Sequence, residues 1–246
     1  IHPTYIQEML ADSRYAEEDL LAVIDFLKDK GGKKFNPGTL ESARHFYRGE
    51  PSGSWAPQTL LADREVLLLG SGPGVSRHRQ ALEDYILRAK PFVIALNTQS
   101  HIAAELIDVR AACHPFRLMA DCQEHRRLPQ PLVTPAHMLP ADVRAALGDK
   151  PLLDFGLAVQ AGVFAFAERH CTLPGSLVAA YALAITASGK ARRVLLAGFD
   201  GYSADDPRSK EVSQLLEAFQ QSPGVPPLLA VTPTRYQLPV SSIYAL

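Results

Sequence analysis

Cysteine is scarce. The 246 residues contain three, Cys113, Cys122 and Cys171, an odd number with no CxxC pair. That excludes a disulfide scaffold and a zinc ribbon, and suits a reducing cytoplasm. Long apolar runs are also missing. None reaches the ~18 positions of a membrane-spanning helix. The longest candidate, Leu173 to Ala187, is interrupted by Pro174, Gly175, Ser176 and Thr186. Charge of one sign is not in surplus: 25 Lys and Arg face 26 Asp and Glu, for a net charge of -1. This balance argues against duplex nucleic acid as the main ligand. No internal repeat and no low-complexity tract is present. The opening Ile1-His2-Pro3-Thr4 has no basic n-region and no signal-peptide core. It also lacks an initiator Met, so the chain is read as a fragment of a longer protein.

What is present is globular in character, with 47% hydrophobic and 21% charged residues. At ~150 residues per domain, the length fits one large domain or one domain with an appendage. Residues 1–30 carry helical periodicity. Tyr5, Ile6, Met9 and Leu10 share a face, and Leu20, Leu21, Val23, Ile24 and Leu27 recur on another helix that stops at Gly31-Gly32. A short third helix is expected from Leu40 to Tyr47. Gly49 to Pro57 has linker composition. The expected division is a helical segment with linker over 1–55 and an α/β domain over 56–246.

From Glu65 onward the pattern changes. Glu65 to Leu69 reads as a buried strand, Ser76 to Lys90 as a helix, and Pro91 to Leu96 as a second strand, together one βαβ unit. Arg117 to Ala120 and Pro131 to Thr134 are expected as third and fourth strands. Ala141 to Leu147 is expected as a short helix. Alternation from Leu152 to Phe166 suggests a hairpin turning near Gly162. Ser176 to Ser188 reads as an apolar helix, Arg192 to Gly198 as a core strand, Glu211 to Gln221 as an amphipathic helix, and Leu228 to Val231 as the last strand. Strands alternating with helices predict a mainly parallel, Rossmann-like sheet with helices on both faces.

In such a sheet ligands collect at the carboxyl ends of strands. The segments expected there are Gly70-Ser71-Gly72-Pro73-Gly74, Asn97-Thr98-Gln99, Gly175-Ser176, Gly198-Phe199-Asp200-Gly201-Tyr202 and Thr232-Pro233-Thr234. Glycine backbone ahead of a helix exposes amide N–H groups to an anion. The same glycines equally serve a tight strand-to-helix turn. The loop is neither a Walker sequence nor a full GxGxxG. Asn97 suits a base, ribose or phosphate, or forms a turn. Asp200 suits a ribose or cation, or caps a loop. Tyr202 can donate to phosphate or stand as a rim aromatic. Asp205 and Asp206 are adjacent and fit a solvated loop better than paired catalytic carboxylates. Cys113, His114, Cys122 and His125 have no tetrahedral ligand spacing. They read as two buried thiols beside surface histidines. No G-x-S-x-G elbow is present.

The order of these loops resembles glycosyltransferase family 42, the bacterial sialyltransferases, over residues ~65–235. That family has a Gly-x-Gly-Pro-Ser loop, an Asn ending the next strand, a Ser-Gly pair opening an apolar helix, and a Gly-Ile-Asp-x-Tyr strand end. Gly70 to Gly74, Asn97, Gly175-Ser176 and Gly198 to Tyr202 stand at those places. The resemblance implies a cleft for a nucleotide sugar, CMP-linked by preference. In that cleft Tyr202 would assist the departing phosphate, and Gly70, Ser71, Gly72, Pro73, Gly74, Asn97, Gly175, Ser176 and Asp200 would bind the ligand. The family's base is a histidine beyond the Asp-x-Tyr segment. Here no histidine follows His170, which leaves Asp205 or Asp206 as the local replacement. The family's first-loop Asn is Ser71 here.

Pterin diphosphokinase-like proteins share the glycine-rich start. That alternative implies ATP with Mg²⁺ at Asp200; otherwise no cofactor or metal is expected. Residues 1–48 resemble the tail that follows the barrel of pyruvate-type aldolases of the HMG-CoA lyase-like superfamily. This implies a lyase barrel upstream and a shared role in cell-surface polysaccharide assembly. A third possibility is a non-catalytic accessory domain of that aldolase.

Overall fold

The computed structural model describes residues 50–99, 101–139, 141–203 and 206–246. The helices expected over 1–30 and 40–47 lie outside these. Seven strands form one sheet: β1 (Glu65–Leu69), β2 (Phe92–Leu96), β3 (Val109–Ala111), β4 (Leu132–Thr134), β5 (Leu152–Asp154), β9 (Arg193–Ala197) and β10 (Leu228–Ala230). Their order is β10-β9-β1-β2-β3-β4-β5, and each neighbouring pair is parallel. A smaller sheet holds β6 (Gly156–Val159), β8 (His170–Leu173) and β7 (Ala165–Phe166) in that order. The expected α/β class is thus the observed one.

All five residues of β1 are buried. A parallel strand covered on both faces has no solvent side, so its sequence is a continuous apolar run rather than an alternating one. Val66 and Leu68 face one core and Leu67 and Leu69 the other. On the first face lie α6 (Val178–Ser188), α7 (Pro207–Gln221) and the small sheet. On the second lie α2 (Pro73–Arg77), α3 (Arg79–Ala89) and the carboxyl-terminal Ile243. α6 is buried almost throughout, from Ala180 to Ser188. Its sequence therefore shows no polar stripe. Short α1 (Gln58–Leu61) packs Leu61 into the first core. Among the described residues no helix is long and apolar enough to cross a membrane.

Three expectations change. Arg117 to Ala120 is not a strand but part of α4 (Pro115–Arg127). His114 caps that helix by accepting from Arg117 N at 3.3 Å, Pro115 opens it, and Arg117 pairs with Asp121 at 2.6 Å one turn on. A four-residue apolar run does not by itself distinguish strand from helix. The real third strand, Val109–Ala111, was hidden because Arg110 interrupts its apolar run. The Leu152 to Phe166 hairpin is not formed either. β5 joins the large sheet, while β8 separates β6 from β7, parallel to the first and antiparallel to the second. Alternation signals a strand but not its partner. The segment read as linker also packs on the protein. Ser54 N and Trp55 N both donate to Asp154 O at 3.0 Å, and a Cβ at Gly53 would stand 2.3 Å from Arg169 O.

Four polar residues, Arg110 of β3, His125 of α4, Gln130 and Lys150, are buried. Arg110 is 1% exposed, and its Nε donates to Gln130 Oε1 at 2.7 Å. Lys150 Nζ donates to Leu128 O. His125 is fully buried with neither ring nitrogen hydrogen-bonded, which corrects its reading as a surface histidine. Burial, then the charges of Arg110, Lys150 and Arg117, push its imidazole down to about 3.

That shift has a defined sign. The folded protein holds His125 neutral, while the unfolded chain takes up a proton below about 6.5. Its contribution to stability is therefore complete above that pH and lost as pH falls toward 3. Urea unfolding between pH 7.5 and 5 should show stability decreasing, by up to about 1.4 kcal/mol per pH unit from this one group. His125→Leu removes no hydrogen bond and should flatten that slope by one proton's worth. An unchanged slope in the variant would assign the acid sensitivity elsewhere.

Candidate functional site

The strand order reverses at β1. From there the chain builds outward through β2 to β5, then returns to place β9 on the other side of β1. Crevices that bind ligands form outside the carboxyl ends of strands at such a reversal. The loops after β1, β9 and β10 are joined there. Gly70 N donates to Ala197 O at 2.8 Å and Gly72 N to Gly198 O at 3.0 Å. Gly198 N donates to Thr232 Oγ1 at 3.0 Å, and Thr234 Oγ1 to Phe199 O at 2.6 Å.

Asp200 turns its carboxylate back onto the glycine loop, where Oδ2 accepts Gly74 N at 3.1 Å. A Cβ on Gly72 would stand 2.2 Å from that oxygen and 2.5 Å from Gly198 O. The glycines therefore admit a close approach of the chain to itself. Asp200 occupies the place at the start of α2 that an incoming anion was expected to take, so its capping role is the one seen. Ser71 and Pro73 are the exposed members of the loop.

Asn97 follows β2 in the left-handed region, with φ of +52°. Its N donates to Ala111 O at 2.8 Å, and its side-chain Oδ1 is buried without a hydrogen bond. Arg110 fixes this turn from below: Nη1 donates to Asn97 O at 3.3 Å and to Gln99 O at 2.6 Å. Sequence reasoning passed over Arg110. The available signal was a lone arginine between Val109 and Ala111 in an otherwise apolar stretch.

Gly175 and Ser176 stand beside the end of β3, where Cys113 Sγ donates to Ser176 O at 3.4 Å. α6 starts two residues later. Its N-cap, Leu177, supplies no side-chain hydrogen bond, and its first turn has no acidic residue. The first amides of a helix have no intrahelical partner, and they carry the positive end of the dipole. Of the two anion seats suggested by the glycine pattern, the first is filled by Asp200 and the second has no side-chain cap.

Tyr202 is 39% exposed and lies under the Arg208 guanidinium, 4.4 Å from the ring centroid. Arg235 Nη1 donates to its carbonyl at 3.3 Å. Asp206 caps α7 by accepting Arg208 N at 2.9 Å, and its Oδ2 accepts Arg208 Nη2 at 2.7 Å. The side-chain hydrogen bond from Arg208 holds this carboxyl below the usual range. A general base at neutral pH needs the opposite shift. Asp205 lies outside the described residues. On α7 sequence reasoning passed over Glu211, whose Oε1 stands 3.4 Å from where a Cβ on Gly175 would sit.

The structure thus joins Gly70 to Gly74 with Asp200 directly, Tyr202 with Arg208, and Gly175 with Glu211. Asn97 makes no hydrogen bond to the glycine loop. Burial and Arg117 push His114 down to about 3, so its ring stays neutral. The three cysteines are free and buried. Among the described residues no three His, Cys, Asp or Glu side chains gather closely enough to hold a metal. A cavity of about 440 Å³ opens at the opposite, amino edge, lined by Arg64, Glu65, Tyr85, Lys90 and Arg193 among others. Glu65 is engaged there by Tyr85 and Arg193. That cavity lies at the far end of the strands from the loops described above.

No protein-family model matches the chain, and no curated protein matches it. Among solved structures, it is similar to the Maf glycosyltransferase of Magnetospirillum magneticum AMB-1, with a TM-score of 0.59 and 13% identity. The match covers 94% of this chain and 42% of that one, so this chain spans less than half of its neighbour's length. At that identity the likeness is one of fold: a glycosyltransferase-like, Rossmann-like α/β arrangement.

Gly72→Ala should test the close approach at the reversal. Its φ of -66° suits any residue, so the cost comes from the clash with Asp200 and the Gly198 carbonyl. Overpacking of this kind costs about 1–3 kcal/mol, or roughly 2–12 °C in melting temperature for a chain of this size. A melting curve unchanged by the substitution would show that the loops part easily.

Proposed function

We propose that the carboxyl-edge crevice beside β1, β2, β9 and the start of α6 binds a nucleotide sugar, a CMP-nonulosonate by preference. The bound sugar would then pass to a hydroxyl acceptor in cell-surface polysaccharide assembly. The observation that carries this reading is that the loops bearing Ser71, Asn97 and Tyr202 follow the neighbouring parallel strands β1, β2 and β9, and so lie on one carboxyl edge at the strand-order reversal. The glycosyltransferase-like fold supports it. The uncapped start of α6 suits the donor phosphate, since backbone amides and the helix dipole both favour an anion. Asn97, with an amide that both donates and accepts, suits the ribose or base. Tyr202 carries a phenolic hydroxyl that can donate to the leaving phosphate. Arg208, stacked on the same ring, adds positive charge beside it.

The diphosphokinase alternative fits less well. It needs Mg²⁺ at Asp200, but that carboxylate already accepts Gly74 N. No gathering of ligating side chains stands near it among the described residues. A sugar-nucleotide-binding domain without turnover is the second reading, favoured by the pairing of Asp206 with Arg208. The likeness of residues 1–48 to an aldolase tail supports an upstream barrel in the full protein. Free cysteines support a cytoplasmic setting.

Calorimetric titration with CMP, CDP, UDP and ATP tests the cleft. Binding heat is expected with CMP above the others; no heat with any of the four would remove the proposal. In a donor-turnover assay, Tyr202→Phe should lower the rate by about 10²–10³ with little change in nucleotide affinity. Turnover near the wild-type level would take Tyr202 out of the mechanism.

A further inference from the structure

We propose that Ser52, His137 and Asp154 form a nucleophile, base and orienting carboxylate that cleave carboxylic esters. Their site is separate from the crevice beside β1, and the proposal does not depend on the nucleotide-sugar reading.

Three segments distant in sequence supply the groups. β4 and β5 are parallel neighbours, with Thr134 opposite Asp154. Asp154 ends β5, and the chain leaving β4 on the same carboxyl edge enters a 3₁₀ turn, Ala136–Met138, that carries His137. In the sheet order these strands are three and four places from β1, about 14–19 Å at ~4.8 Å per strand. His137 Nδ1 lies 2.9 Å from Asp154 Oδ1 and 3.0 Å from Oδ2. A carboxylate can only accept, so in the neutral ring Nδ1 carries the proton and Nε2 presents its lone pair. Ser52 Oγ stands 2.9 Å from that Nε2, and its hydroxyl donates to it. A hydroxyl bonded to an imidazole that a carboxylate orients is the arrangement that activates a serine. It is defined by geometry and roles rather than by sequence position, so it needs no G-x-S-x-G elbow.

The surroundings hold all three groups in place. Asp154 also accepts His137 N at 3.2 Å on Oδ1 and Ser54 N at 3.1 Å on Oδ2. Its side chain is 13% exposed. Ser52 is fixed through its backbone. A Cβ on Gly156 would collide with Ser52 O, and one on Gly53 would collide with Arg169 O and Asp154 O. These two glycines let the Ser52-Gly53 segment lie directly on the start of β6. Among the described residues neither Ser52 N nor Gly53 N makes a hydrogen bond. Backbone amides at and next to a nucleophile are donors that serve the oxyanion of acyl transfer.

Ser52 and His137 are both exposed. That setting favours an acyl ester carried on the outside of a larger alcohol. An ester's leaving oxygen departs with less help from an acid than an amine needs, so ester cleavage makes the smaller demand on an open site. In the proposed step Ser52 Oγ bonds to the acyl carbon while His137 Nε2 takes its proton. The acyl carbon–oxygen bond breaks, and the alcohol leaves with that proton. Water then attacks the acyl-serine and passes a proton to Nε2. The bond from Oγ to the acyl carbon breaks, Oγ takes the proton back, and the carboxylic acid is released.

The test treats the full chain with a fluorophosphonate probe and locates the adduct by mass spectrometry. Oγ bonds to phosphorus, and fluoride leaves as the serine proton is taken up by the histidine. Ser54, exposed in the same segment and without a histidine partner among the described residues, is the internal control. Ser52 should be labelled at least about 10²-fold faster than Ser54, and His137→Ala should remove that advantage. Hydrolysis of p-nitrophenyl acetate should fall by about 10²–10⁴-fold in Ser52→Ala, with the melting temperature unchanged. Labelling of Ser52 no faster than Ser54 would overturn the proposal and leave the three residues as a tie between the 50–57 segment and the sheet. That comparison is made in the wild-type chain, so it stands whatever the substitutions do to folding. Folded Ser52→Ala that hydrolyses the ester within about threefold of wild type would overturn it equally.

Discussion

Gly70 and Gly198 meet across the parallel strands β1 and β9 with no space for a side chain between them, and the arrangement of the carboxyl edge follows from that contact. A Cβ on Gly70 would stand 2.5 Å from Gly198 O, and Gly198 itself has a φ of +75°. The left-handed turn at Gly198 sends the chain back toward β1, which brings Asp200 over the start of α2. One carboxylate then satisfies the Gly74 amide at the beginning of that helix. The next residues carry Tyr202 outward to the rim, and Asp206 opens α7. The position of Asp200 against the glycine loop thus traces to two residues that lack side chains.

The turn after β2 has a different support. Arg110 lies in a central parallel strand, where a charge without partners is costly. Its cost is offset by neutral acceptors: the Gln130 side chain and the carbonyls of Asn97 and Gln99. The guanidinium therefore works as a clamp on the turn after β2. It fixes the backbone of a residue held at positive φ and so fixes where the Asn97 amide sits. A lysine would carry the charge without the planar fork that reaches both carbonyls and the glutamine.

α6 is held in place by its burial. Tyr181 anchors it by donating to Phe155 O, and Ala180, Ala182, Ala184 and Ala187 let it lie close on the sheet. A helix held so firmly presents its first amides at a fixed place, beside Cys113 and the Gly175-Ser176 loop. Such preorganisation favours recognition of a phosphate. The shared fold with a glycosyltransferase four-fifths different in sequence and more is understandable on these terms.

The sequence by itself determined the local elements and the fold class. Val66 to Leu69, Val93 to Leu96 and Val194 to Ala197 are short apolar runs without interruption, each followed by turn residues, as a strand covered on both faces requires. It determined the glycine turn after β1 and the apolar helix over 178–188, because these depend on neighbours in the chain. It left open whether Gly70 to Gly74 received a ligand or the chain itself, and the tertiary structure decided that by bringing Asp200 across from β9. It misplaced the third strand because Arg110 looks exposed until its partners, Gln130 and the turn at Asn97, are brought near. It left Asp205 or Asp206 as the base by position in the chain, and folding paired Asp206 with Arg208. The first two of these decisions join residues far apart in sequence. Periodicity and turn chemistry report what a segment prefers, and a carboxylate's role is set by what stands opposite it, which exists only once the chain has closed on itself.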